Sequence, residues 1–150
     1  MTKDMKKILD EIVLPEDYKP SEKEEYMNPM QLAYFRKKLL DWKQELVTGS
    51  ENARKTLVEE TSGTYSTAGD DIDRANDEAL KQLELRTRDR ERKVIAKIDA
   101  ALQRIENGTF GYCEITDEPI GLKRLEARPV ATMTVEAQEE HEAKERLYNN

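Results

Sequence analysis

The chain has 150 residues, 37% hydrophobic and 38% charged, a balance that suits elongated helices better than a large compact core. Its 32 acidic and 25 basic side chains leave a net charge of -7, which repels nucleic-acid phosphates and disfavours autonomous, sequence-specific DNA binding. No apolar run approaches the roughly 20 residues of a membrane span, and the charged start MTKDMKKILDE lacks the apolar core of a secretory signal, so a soluble cytoplasmic protein is expected.

Met5, Ile8, Leu9 and Ile12 are spaced along one face of a short amphipathic helix, which Leu14-Pro15 ends ahead of a polar linker through Pro20. This N-terminal part covers residues 1–27. Asn28-Pro29 then predicts a helix start, because Asn accepts a bond from a free backbone N–H and Pro fits the first turn. Leu32, Phe35, Leu39, Trp42, Leu46, Gly49, Ala53 and Thr56 follow at alternating spacings of three and four, with Leu57 adjoining: a coiled-coil seam that thins from large to small side chains. Thr61 to Gly69 is rich in small and hydroxyl residues and reads as a loop. A second helix is expected from Asp70 or Asp71 through Leu80, Leu83, Val94, Ile98, Leu102 and Ile105 to a stop at Asn107-Gly108. Two helices of similar length on a short loop return antiparallel, so residues 28–107 form a hairpin with a tip loop at 62–73. Residues 108–135, with Phe110, Pro119 and Gly121, read as a small compact module, and 136–150 as a polar C-terminal helix. The expected class is all-α: a long antiparallel coiled-coil hairpin with a small globular domain made from the chain ends.

Three features bear chemistry. Asp70, Asp71 and Asp73 at the tip are either helix caps and solvated charge, or carboxylates that reach a metal or a basic site in a partner. Arg86, Arg88, Arg90, Arg92 and Lys93, interleaved with Asp89 and Glu91, make either a salt-bridged exposed face or a partner contact. Cys113, the single cysteine, excludes an intrachain disulfide. Thr116 occupies the place where a second zinc-ligating cysteine would fall, and His141 is the only histidine, so neither a structural zinc site nor a thiol–imidazole catalytic pair is expected.

From about Glu25 to Pro129 the segments EEYMNPMQLAYFRKKLLDWKQEL, DDIDRA, LELRTRDRERKVIAKI and FGYCEITDEPIGLKRLEARP together resemble the DksA/TraR family. The resemblance implies a non-enzymatic, monomeric regulator that enters the secondary channel of bacterial RNA polymerase and, with the alarmone ppGpp, modulates initiation at promoters such as those of ribosomal RNA in the stringent response. It assigns Asp70, Asp73 and Ala75 to the tip near the polymerase active site, and Arg90 to a polymerase contact. It places ppGpp on Val94, Lys97, Arg124, Arg128 and Gln138, where Gln138 replaces the family's usual lysine and the cations suit clustered phosphates.

The family's four zinc-binding cysteine positions read here Cys113, Thr116, Thr134 and Ala137. This resembles a zinc-independent branch with a degenerate finger, in which packing by Phe110, Tyr112, Ile115, Ile120, Leu122, Leu125 and Met133 replaces the metal. Two other readings of the rod are a Gre-like auxiliary of transcript cleavage and a coiled-coil adaptor that never enters a channel.

Overall fold

The computed structural model describes residues 2–62 and 71–148. In chain order the helices are α1 (Thr2–Glu11), α2 (Pro29–Ser62), α3 (Asp71–Asn107), α4 (Leu122–Ala127) and α5 (Val135–Tyr148). No strand occurs among the described residues, which hold one isolated antiparallel bridge, Tyr112 to Pro119. No described helix is long and apolar enough to cross a membrane. Ser62 belongs to α2 and Asp71 to Asp73 belong to α3, so the loop expected over 62–73 loses both its ends to helices. Helix-forming residues and the acidic first turn of α3 outweigh the small-residue signal there. Residues 63–70 lie outside the described residues.

The chain divides into two compact units, one from Met1–Leu40 with Ile98–Asn150, the other from Asp41–Lys97. In the first unit α2 begins under tight local control. The Asn28 side-chain oxygen accepts the Gln31 N–H at 3.0 Å, and its backbone carbonyl accepts the Leu32 N–H at 3.0 Å. Gln31 is fully buried, yet its amide is satisfied at both ends: it accepts the Met27 N–H at 2.8 Å and donates to the Ser21 carbonyl at 3.2 Å. Behind this cap Leu32, Phe35 and Leu39 of α2 close on Ile98, Ala101 and Ile105 of α3, and Phe110 tilts against Phe35 at a centroid distance of 5.7 Å. Leu9 brings α1 into the core, and Asp10 pairs with Arg36 at 2.7 Å. α3 ends at Gly108, whose φ of 79° is left-handed, while the Thr109 and Phe110 N–H groups turn back to the Arg104 carbonyl.

The second unit pairs the rest of α2 antiparallel with the first part of α3: Val47 and Ile95 line one end of a groove between them, and Arg54 and Arg88 the other. No described residue between Asp41 and Lys97 is buried. Trp42 and Leu46 are half-buried, and Gly49 and Thr56 are exposed. Leu80 and Leu83, expected as seam residues, are 49% and 59% exposed.

Candidate functional site

Residues 108–134 follow α3 as a knuckle held by backbone bonds: Cys113 N–H to the Glu118 carbonyl at 2.8 Å, Asp117 N–H to Cys113 at 2.9 Å, and Ile120 N–H to Gly111 at 2.8 Å. Glu114 N–H bonds the Thr132 carbonyl at 2.9 Å and so joins the knuckle to the segment before α5. Tyr26 clamps the knuckle from the N-terminal side, donating to the Gly111 carbonyl at 2.6 Å and accepting the Gly121 N–H at 3.1 Å. Gly111 has φ 91°, and a Cβ there would lie 2.9 Å from the Met27 side chain, so both the left-handed backbone and the packed Met27 favour glycine.

The residues at the four finger positions come together in this fold. Cys113 is 1% exposed, and Thr134 and Ala137 are buried. Burial pushes the Cys113 thiol up, but hydrogen bonds from the Thr116 hydroxyl and from the backbone at Thr134, Thr116 and Ile115 outweigh it and bring the pKa down to about 7. Thr134 Oγ1 accepts the Ala137 N–H at 3.2 Å and thereby caps α5. One sulfur, two hydroxyls and a methyl do not make a tetrahedral thiolate centre, and the Thr116 hydroxyl is already turned to the sulfur. No group of three or more His, Cys, Asp or Glu among the described residues is arranged to hold a metal ion.

The apolar set expected to pack the knuckle is corrected in part. Phe110, Ile120, Leu122 and Leu125 are buried, whereas Ile115 is 60% and Tyr112 37% exposed. Their places are taken by Cys113, Val130, Ala131 and Ala137. The knuckle turn that aims Cys113 inward leaves Ile115, two residues on, facing water. A second anchor came from no motif: the Glu126 carboxylate of α4 takes a short bond from the Tyr34 hydroxyl and pairs with Lys38 at 2.6 Å. Burial and that carboxylate push Tyr34 up to about 12, and hydrogen bonds from Lys38 and Tyr34 outweigh burial to hold Glu126 below its usual range.

Of the expected site residues, Asp73 and Ala75 are exposed in the first turns of α3, and Arg90 is exposed further along it. Asp70 lies outside the described residues. The residues expected to hold ppGpp are divided between the units: half-buried Val94 and exposed Lys97 belong to the second, and Arg124, Arg128 and Gln138 to the first. Arg124 Nε donates to the Met133 carbonyl at 2.9 Å, and Gln138 Nε2 to Glu142 at 3.0 Å.

An antiparallel helical pair and a knuckle that has lost three of four thiolates define the class: an all-helical hairpin protein with a cysteine-depleted finger. Comparison with known proteins gives the family. Residues 31–105 match the model of the DnaK suppressor protein DksA N-terminal domain, and residues 108–143 that of the prokaryotic dksA/traR C4-type zinc finger. A Caulobacter vibrioides protein named RNA polymerase-binding transcription factor DksA is 54% identical over 139 residues, which is 93% of this chain and 95% of the relative. The protein of that name from Escherichia coli K12 is 40% identical over 131 residues, 87% of this chain and 84% of its own. The solved structure of transcription factor DksA2 from Pseudomonas aeruginosa superposes with a TM-score of 0.71 at 35% identity, covering 95% of this chain and 98% of that one. The chain belongs to the DksA family.

Proposed function

We propose that this chain binds bacterial RNA polymerase through its secondary channel and, with ppGpp, modulates initiation at promoters such as those of ribosomal RNA, without chemistry of its own. The observation that carries this reading is kinship over 93% of the chain with a protein named RNA polymerase-binding transcription factor DksA. On this reading Asp70, Asp73 and Ala75 act near the polymerase active site and Arg90 meets the polymerase. The exposure of Asp73, Ala75 and Arg90 leaves them accessible to a partner. Lys97, Arg124 and Arg128 supply positive charge for the phosphates of ppGpp, while Val94 and Gln138 complete the set. The finger folds without zinc, supported by the hydrogen bonds around the Cys113 sulfur.

Transcription in vitro from a ribosomal RNA promoter, with and without ppGpp, tests this. The parent protein is expected to inhibit, and Asp73→Asn and Ala75→Thr to inhibit much less while still binding polymerase. Equal inhibition by parent and both variants would sink the tip mechanism. Release of short RNA from backtracked complexes by the parent would replace it with a cleavage-auxiliary reading.

A further inference from the structure

α4 has only 6 residues, and a helix of that length does not hold its place by its own backbone bonds. Leu122 and Leu125 seat its apolar side in the core. Its other tie runs through one carboxylate to α2. Glu126 takes the Tyr34 hydroxyl on Oε1 and the Lys38 ammonium on Oε2 at 2.6 Å. Lys38 Nζ also donates to the Glu126 backbone carbonyl at 3.0 Å, one of the last carbonyls that a helix leaves open. The ammonium therefore grips the side chain and the main chain of the same residue, which fixes the rotation of α4 as well as its distance from α2.

The α2 side of this tie is rigid. Tyr34 and Lys38 stand one helical turn apart on the stretch whose Phe35 and Leu39 are fully buried. The Tyr34 ring meets the Tyr18 ring edge-on at 6.1 Å and the Phe35 ring at 5.2 Å, so packing aims its hydroxyl. On α4, Arg124 and Arg128 lie two residues to either side of Glu126. Arg128 is the C-cap, its N–H closing on the Arg124 carbonyl at 2.7 Å. Neither arginine forms an ion pair with a described residue. Clustered phosphates need their cations at fixed places, and a ligand residue on a short helix inherits its place from whatever holds that helix.

We infer that Lys38 and Tyr34 are positioning residues for the alarmone: through Glu126 they hold α4 in the orientation that presents Arg124 and Arg128 to the phosphates of ppGpp. The inference rests on the ppGpp reading above and adds to it two residues of α2 that act at one remove from the ligand.

The test uses the full-length protein with its cognate RNA polymerase and reads two quantities. One is the ppGpp concentration that half-maximally enhances inhibition at a ribosomal RNA promoter; the other is the affinity for polymerase without ppGpp. Lys38→Met keeps the aliphatic stem but loses both bonds to Glu126, and Tyr34→Phe keeps the packed ring but loses the hydroxyl. Each is expected to raise the half-maximal ppGpp concentration by about threefold or more at unchanged polymerase affinity. Lys37→Met, which removes the same charge from an exposed neighbouring position, is expected to behave like the parent. An unchanged half-maximal concentration in both variants overturns the inference. So does an equal loss of polymerase affinity without ppGpp, which is what general damage to the fold would give, or an equal shift in Lys37→Met. A parent whose inhibition ppGpp does not enhance overturns the ppGpp reading itself, and this inference with it.

Discussion

Cys113 is the residue on which the finger module turns, since its sulfur accepts the hydrogen bonds that gather Thr116 and Thr134 around it. Its folded pKa, about 7, lies below the ordinary thiol value of 9.0. A depressed acid stabilises the fold fully above its unfolded pKa and loses that contribution as pH falls through the folded one. Stability should therefore rise between about pH 7 and pH 9, by at most about 1.4 kcal/mol per unit. Urea unfolding across that window should show a slope in the parent that Cys113→Ala lacks; equal slopes would remove the thiolate from the account. Tyr26→Phe should cost about 1–2 kcal/mol by leaving the Gly121 N–H without its partner and the Gly111 carbonyl with the Ile120 N–H alone, measurable as a lower urea midpoint at unchanged m-value. The resemblance made the four finger positions legible, but not Tyr26 or the Tyr34–Lys38–Glu126 group. Their partners lie 85 to 95 residues away in sequence, and no local pattern marks a bond of that range.

At the scale of elements, two glycines make opposite predictions. Gly111 has a left-handed φ and Met27 at 2.9 Å, so Gly111→Ala should destabilise by about 1–3 kcal/mol. Gly49 sits exposed inside α2 with open space around it, so Gly49→Ala should stabilise by about 0.5–1 kcal/mol. Thermal melts of the two variants should therefore move in opposite directions from the parent, and a shared direction would contradict the packing described. The α2 seam was legible because its spacing marks one face and its taper marks where packing weakens: Leu32, Phe35 and Leu39 are buried, whereas Gly49 and Thr56 are exposed. The exposure of Leu80 and Leu83 was not legible, since periodicity identifies a face but not whether the opposite helix fills the space against it. The start of α3 at Asp71 was legible from the acidic residues there, whereas Ser62, assigned to the tip loop, continues α2.

The whole molecule keeps the family's helical pair and its knuckle while three of the four thiolates are gone. In a zinc-bound finger the metal contributes folding energy directly; on the zinc-free reading proposed above, packing and hydrogen bonds supply that contribution instead. Phe110, Ile120, Leu122, Leu125, Val130 and Ala131 supply the buried surface here, with Cys113 as the polar hub. Polymerase regulation by a finger that needs no metal is the proposal on which the rest depends. It can be checked by inhibition at a ribosomal RNA promoter with protein stripped by a strong zinc chelator, bound zinc being quantified in the same sample. Undiminished inhibition with essentially no zinc per chain is expected; loss of inhibition on stripping that added zinc restores, with about one zinc bound per chain, would overturn it.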